Sequence, residues 1–173
     1  HGVWMSKTAA RGAKRIIAEV CPDFIRTFGE NFIHVDEIDL FVEHQPTTGE
    51  ATEPPPPNDE EIGIVEGINT LVASELINDG DTVQLGVGTV SASLGPYLAF
   101  KNDLGIQTEL ITAGIVDLVE KGVVNGKYKT LHPYKVVGSA CVALDRSELS
   151  QIHENPNFEL YDFGHTDDLR RLI

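Results

Sequence analysis

The sequence predicts an α/β fold with a mostly parallel sheet flanked by helices. Short apolar runs rich in β-branched residues alternate with segments of helical periodicity, which is typical of this fold class. The pattern is clearest over residues 79–111, where a turn, a strand, a glycine turn, a helix and a second strand follow one another. A run of four prolines at positions 54–57 divides the chain into two parts, because proline interrupts both helices and sheets.

The part of the chain before the prolines begins with a predicted helix over residues 6–14, with Ser6 or Thr8 as its cap. Further predicted elements follow it in order: a strand at 15–20, a short helix or turn at 34–38, and a strand at 40–43. Residues 46–61 are rich in proline and acidic side chains, and we interpret them as an exposed linker.

The part after the linker begins with a predicted amphipathic helix over residues 62–78, whose apolar positions we expect to pack on the sheet. A strand at 82–85 and a helix at 89–100 come next, with Leu94 and Leu98 on one helical face. The remaining predicted elements are strands at 106–111, 134–145 and 158–162 and a helix at 146–154, the second of these strands bending near Gly138 and Ser139.

The charge of the chain limits its partners. Among 173 residues, 27 acidic and 13 basic side chains give a formal net charge of −14. Nucleic acids and anionic membrane surfaces require positive surface, so we expect neither as a partner. The sequence has no apolar run of membrane-spanning length and no signal-peptide pattern, and we expect a cytoplasmic protein. Cys21 and Cys141 lack CxxC spacing, which predicts reduced thiols.

Glu109 is the unusual residue of the sequence, because it is a carboxylate in an otherwise apolar predicted strand. The turn formed by Gly86, Val87 and Gly88 follows the preceding strand. In parallel sheets, ligands bind outside the carboxyl ends of the strands, so Glu109 and this turn should lie close together. The residues alone leave two interpretations open: a carboxylate that reacts, or one that forms a structural ion pair.

Three ordered sequence blocks carry a resemblance to a known family. They are VQLGVG at 83–88, LGIQTE at 104–109 and AGIVDL at 113–118. Together they resemble the acetyl-CoA hydrolase/transferase family, which includes the 4-hydroxybutyrate, butyrate and succinyl-CoA:acetate CoA-transferases. Residues 19–43 also resemble the family, except that Cys21 stands where the family usually has asparagine.

The resemblance implies a CoA-transferase fold of the NagB/RpiA-like type and a two-domain architecture of which this chain is an incomplete part. Residues 1–45 would end the N-terminal domain and residues 62–173 would begin the C-terminal one. The implied activity is transfer of CoA from an acyl-CoA to a short carboxylate through a glutamyl-CoA thioester. CoA is then a substrate, with no tightly bound cofactor, and we expect a homo-oligomer or association with the rest of the enzyme.

The resemblance also implies roles for individual residues. Glu109 would be the covalent nucleophile. The residues that would bind the oxyanion or CoA are Gly86, Gly88, Val90 and Gly114. Arg26 lies in a loop and is a candidate for binding the substrate carboxylate, although a surface salt bridge is an equal alternative.

Other functions remain open or are disfavoured. An acetyl-CoA hydrolase would use the same intermediate with water as acceptor, and a non-catalytic α/β binding module is the alternative from another class. Without flanking segments, we expect the chain alone to transfer little CoA. The clusters around His34 and around His165 lack the ligand spacing of zinc sites, so no metal is predicted.

Overall fold

Parallel strand pairing organises the structure, as the sequence predicts. The computed structural model describes residues 2–45, 58–142 and 144–172. Within these ranges, every pairing between the named strands is parallel, and helices flank the strands. The fold is therefore α/β. Most of the predicted proline-rich linker, residues 46–57, falls outside the described residues.

The first part of the chain holds a helix and a two-stranded sheet. Helix α1 spans Ser6–Gly12, and strands β1 (Ile17–Val20) and β2 (Leu40–Glu43) pair along their whole length. A turn of 3-10 helix covers Val35–Glu37. The predicted cap of α1 is wrong: Met5 is the N-cap and gives no side-chain hydrogen bond, because the helix already begins at Ser6.

Helix α2 spans Asp59–Leu71 and continues as a π-helical turn over Val72–Leu76. It begins three residues before the predicted start. The reason is a capping box, in which the Asn58 side chain accepts a hydrogen bond from the Glu61 amide and the Glu61 carboxylate accepts one from the Asn58 amide.

The prediction that the apolar positions of α2 pack on the sheet is wrong for most of them. Asn69 and Ala73 are buried, whereas Ile64, Ile68 and Leu71 are 56%, 41% and 63% exposed. The buried side consists of a small residue, Ala73, and a polar one, Asn69, whose amide donates to Ser93 Oγ at 2.9 Å. The apolar stripe of the helix therefore lies on the surface of the described structure.

The central sheet has four parallel strands in the order β3-β4-β6-β8. These strands are β3 (Thr82–Val83), β4 (Gly105–Gln107), β6 (Val136–Gly138) and β8 (Phe158–Leu160). Two short strands, β5 (Leu110–Ile111) and β7 (Ala140–Cys141), pair beyond β4 and β6. The predicted strands at 106–111 and 134–145 are thus each divided in two.

The helices after β3 are short. They are α3 (Thr89–Ala92), α4 (Ile115–Glu120), α5 (Arg146–Ile152), α6 (Phe163–Thr166) and α7 (Leu169–Leu172). The single helix predicted at 89–100 is wrong, because α3 gives way to a 3-10 turn over Gly95–Leu98, where Pro96 has no amide to continue an α-helix. Leu94 and Leu98 are nevertheless both buried.

The central sheet has one apolar and one largely polar face. Ile106, Val136 and Phe158 are neighbours in register and belong to the hydrophobic core. The next residue of each strand points to the opposite face, so Gln107 and Glu159 lie on either side of Val137 there.

Candidate active site

Two adjacent strands of the sheet are interrupted at the same level. β4 ends before Glu109, β6 ends before Ser139, and the pairing continues afterwards in β5 and β7 with the same offset. The backbone amides of Ser139 and Ala140 both donate to the Glu109 carbonyl, at 2.9 and 3.1 Å. These bonds fix the backbone of Glu109 at the break.

Gly86 lies directly beside the Glu109 carboxylate. A Cβ atom at position 86 would be 3.7 Å from Glu109 Oε2. Thr108 holds the two segments together, because its buried hydroxyl accepts from the Leu85 amide at 2.6 Å and donates to the Leu85 carbonyl at 2.8 Å. The proximity of Glu109 to the glycine turn, predicted from strand order, is present in the structure.

The Glu109 side chain is half-buried, and its surroundings disfavour a negative charge. Burial raises the pKa of Glu109, and the negative charge of Asp167 raises it further. Asp167 is itself fixed, since Gln84 Nε2 donates to its Oδ1 at 3.2 Å and Thr166 Oγ1 donates to its Oδ2 at 2.8 Å. A carboxylate that binds protons more tightly than usual is also a stronger nucleophile.

The glycine turn that follows β3 leads into α3. Gly88 is the N-cap of this helix and has φ +144°, a conformation that side chains rarely adopt. The space beside it is open, since a Cβ atom there would meet nothing within 4 Å beyond its chain neighbours. Val90 is the second residue of α3, and the amide at this position has no acceptor inside the helix. The N-cap residue Gly88 has no side chain that could accept from the Val90 amide.

Two other residues singled out in the sequence already have partners. The Gly114 amide donates to Glu148 Oε1 at 3.1 Å, and Gly114 begins α4 with φ +86°. The Arg26 guanidinium is exposed and pairs with Glu154 Oε1 at 2.6 Å, and the Arg26 amide donates to the His153 ring. These contacts connect Arg26 to the end of α5 rather than to Glu109, so its role in carboxylate binding stays a prediction.

A buried polar cluster lies on the polar face of the central sheet. Lys129 donates to the backbone carbonyls of Ile106 and Lys135, both at 2.7 Å, and burial lowers its pKa to about 8. Tyr161 donates to Glu159 Oε2 at 2.9 Å, and its ring stacks on His165. His165 is thus packed between the rings of Tyr161 and His132, in α6.

Three further observations concern metal-ligating groups, thiols and helix length. Among the described residues, no group of three or more histidine, cysteine, aspartate or glutamate side chains is arranged to hold a metal ion. Neither Cys21 nor Cys141 is in a disulfide, and burial raises the pKa of Cys141 to about 11. Of the helices in the described ranges, none has the length and apolar character needed to cross a membrane.

Sequence reasoning missed four residues around Glu109: Gln84, Thr108, Ser139 and Asp167. Thr108 and Gln84 lie inside the sequence blocks described above. Thr108 precedes Glu109 directly and Gln84 precedes Gly86 by two residues, and this nearness in sequence could have indicated that both belong to the site. Ser139 was noted only as part of a bend. Asp167 was considered as a metal ligand, and nothing in its sequence context indicates that α6 carries it back to the sheet.

Comparison with known proteins identifies the relatives of the chain. No family model matches it. It is 37% identical to the 4-hydroxybutyrate coenzyme A transferase of Clostridium kluyveri, over 94% of this chain and 36% of that protein. The chain is related to the CoA-transferases. It is also 38% identical to the succinyl-CoA:cyclohexane-1-carboxylate CoA transferase of Geobacter metallireducens, over 88% of this chain and 33% of that protein.

Two solved structures share the fold. The 4-hydroxybutyrate CoA-transferase of Porphyromonas gingivalis superposes with a TM-score of 0.78 at 33% identity, over 95% of this chain and 40% of that one. RipA from Yersinia pestis gives a TM-score of 0.77 at 30% identity, over 96% and 38% of the two chains. The chain spans about a third of the length of the curated relatives that it matches.

Proposed function

We propose that the chain carries the nucleophile of an acyl-CoA:carboxylate CoA-transferase and that this nucleophile is Glu109. The observation that carries the proposal is the position of the Glu109 carboxylate beside Gly86, at the carboxyl ends of the parallel strands. The similarity to proteins named as CoA-transferases supports the reaction class.

The chemistry divides one difficult exchange into easier steps. A Glu109 oxygen attacks the thioester carbonyl, the C–S bond breaks, and CoA leaves as the thiolate. The thiolate then attacks the glutamyl carbonyl of the resulting anhydride and releases the first carboxylate. The acceptor carboxylate then attacks the glutamyl-CoA thioester and releases the CoA thiolate. The thiolate attacks the acyl carbonyl of the new anhydride, which gives the new acyl-CoA and the free Glu109 carboxylate.

Each attack places negative charge on a carbonyl oxygen, which backbone amides can stabilise. The glycine turn supports this role, since Gly86 allows a substrate to approach Glu109 without meeting a side chain. The Val90 amide is our candidate donor. Gly88 would shape the approach of the substrate. The Gly114 amide already donates to Glu148, so Gly114 would act only indirectly, by setting the position of α4.

The test is to trap the intermediate in the native protein. We expect incubation with acyl-CoA, followed by borohydride, to modify Glu109 and no other carboxylate in peptide mass mapping. Label on another residue would disprove the assignment. Analysis of the products with and without an acceptor carboxylate distinguishes transfer from hydrolysis, and absence of any turnover or label would favour a non-catalytic module.

A further inference from the structure

A second carboxylate, Asp167, is hydrogen-bonded to the segment that leads to the glycine turn beside the candidate nucleophile. It lies between α6 and α7 and is half-buried, and its negative charge raises the pKa of Glu109. Both of its oxygens are held by protein donors: Gln84 Nε2 at 3.2 Å and Thr166 Oγ1 at 2.8 Å. The carboxylate is therefore fixed in this position by the fold.

The groups that hold Asp167 also belong to the backbone around Glu109. Gln84 follows β3 and precedes Gly86 by two residues. Thr166 bonds to Ser139 through their buried hydroxyls, 2.7 Å apart, and the Ser139 amide donates to the Glu109 carbonyl. Since Thr166 donates to Asp167, the Ser139 hydroxyl is the donor to Thr166. Asp167 is thus fixed relative to the backbone of Glu109 through both neighbouring strands.

We propose that Asp167 is a positioning residue that repels the free Glu109 carboxylate and so favours its acylated states. The proposal rests on the assignment of Glu109 as the nucleophile. When a Glu109 oxygen forms a bond to the acyl carbon and the thioester C–S bond breaks, the negative charge leaves Glu109 with the CoA thiolate. The repulsion from Asp167 exists before this step and is absent from the anhydride and the glutamyl-CoA thioester.

Two measurable consequences follow. Repulsion raises the proton affinity of free Glu109, and it shifts the equilibrium between free enzyme and glutamyl-CoA toward the thioester. Gln84 and Thr166, which donate to Asp167, are uncharged, and so is Ser139. Replacing Asp167 by a neutral residue therefore removes the charge that the proposal depends on. A purely structural role for Asp167 would change neither quantity in this way.

The experiment is carried out in the complete native protein, which is the parent. It compares Asp167→Asn with Asp117→Asn, which removes an exposed carboxylate from α4, where Asp117 pairs with Lys121. Asp167→Ser is a second neutral variant that cannot offer Glu109 an amide hydrogen. In each, the Glu109 carboxyl is titrated by carbon NMR. The fraction of glutamyl-CoA enzyme is measured by intact mass, at a fixed ratio of acyl-CoA to free carboxylate.

We expect both Asp167 variants to titrate Glu109 at lower pH than the parent protein and to hold less thioester, and Asp117→Asn to match the parent. If the parent forms the thioester on Glu109 but the Asp167 variants change neither quantity, the inference about Asp167 is wrong while the proposed function stands. If the parent forms no thioester on Glu109, the proposed function fails and the inference fails with it.

Discussion

The hydroxyl of Thr108 bonds both backbone groups of Leu85, accepting from its amide and donating to its carbonyl. This side chain joins the segment that leads to the glycine turn with the segment that carries Glu109. The Leu110 amide also donates to the Leu85 carbonyl, at 3.2 Å, where the regular pairing of β3 with β4 has ended. Thr108 thus supplies the acceptor for the Leu85 amide and a second bond between the two segments.

We expect Thr108→Val to lower the free energy of unfolding by about 1–3 kcal/mol, because the replacement leaves the buried Leu85 amide without the hydroxyl that accepts from it. Thr108→Ser retains the hydroxyl and is the matched control. Urea denaturation of the three proteins measures the difference. Equal midpoints for Thr108→Val and the parent would mean that water replaces the hydroxyl at no cost.

Glu109→Gln should abolish CoA transfer and stabilise the fold at neutral pH. The folded-state pKa of Glu109 is raised by burial and by Asp167, so the folded protein loses stability as the pH rises from the pKa of an unfolded glutamate to the folded-state pKa, and the loss is constant above it. Below the pKa of an unfolded glutamate both states are protonated, and the stability gain should vanish. Melting temperatures of parent and variant across this pH range test the sign; a gain that persists in acid would contradict it.

Gly88→Val should reduce turnover more than stability. With φ +144° a side chain is strained, at a cost of about 1–3 kcal/mol, although the space around the position is open. Displacing an oxyanion donor costs roughly a hundredfold or more in rate. Gly122→Val is the control, because Gly122 also has positive φ and open space but lies after α4. Near-native turnover by a folded Gly88→Val protein would mean that the loop is only a turn.

The apolar stripe of α2 should cause the 173-residue chain to self-associate. Ile64, Ile68 and Leu71 lie on one side of the helix and are exposed. We expect the sedimentation coefficient to rise with protein concentration and Ile68→Glu to suppress the rise. Thr70→Glu adds the same charge on another side of α2 and should leave the concentration dependence of the sedimentation coefficient unchanged. A concentration-independent coefficient for the parent chain would contradict the prediction.

The sequence predicted the features that depend on local pattern and strand order. Apolar runs indicated the parallel strands, and the rule that ligands bind at their carboxyl ends brought Glu109 together with Gly86. The pattern of α2 predicted a helix but not which side is buried, because periodicity identifies an apolar stripe without showing what covers it. The buried hydrogen bond of Asn69 decides the orientation here.

Much of the candidate site could not be predicted because it depends on contacts between residues distant in sequence. Asp167 is far along the chain from Gln84, and the α6 helix that positions it is too short to show periodicity. The strand break at Glu109 lies beside a matching break at Ser139 in the neighbouring strand. The sequence around either residue does not indicate that the two breaks match. Single-residue patterns do not record such pairings.

The alternation of the two sheet faces constrains how this segment can vary in length. Ile106 faces the hydrophobic core and Gln107 faces the polar layer, and each residue added to or removed from β4 exchanges these directions for everything that follows. A single-residue deletion within Gly105–Gln107 would therefore bring a polar side chain to the core side of the sheet, beside Val136. The length of the strand that leads to Glu109 is thus fixed by its own core contacts, independently of the chemistry of the site.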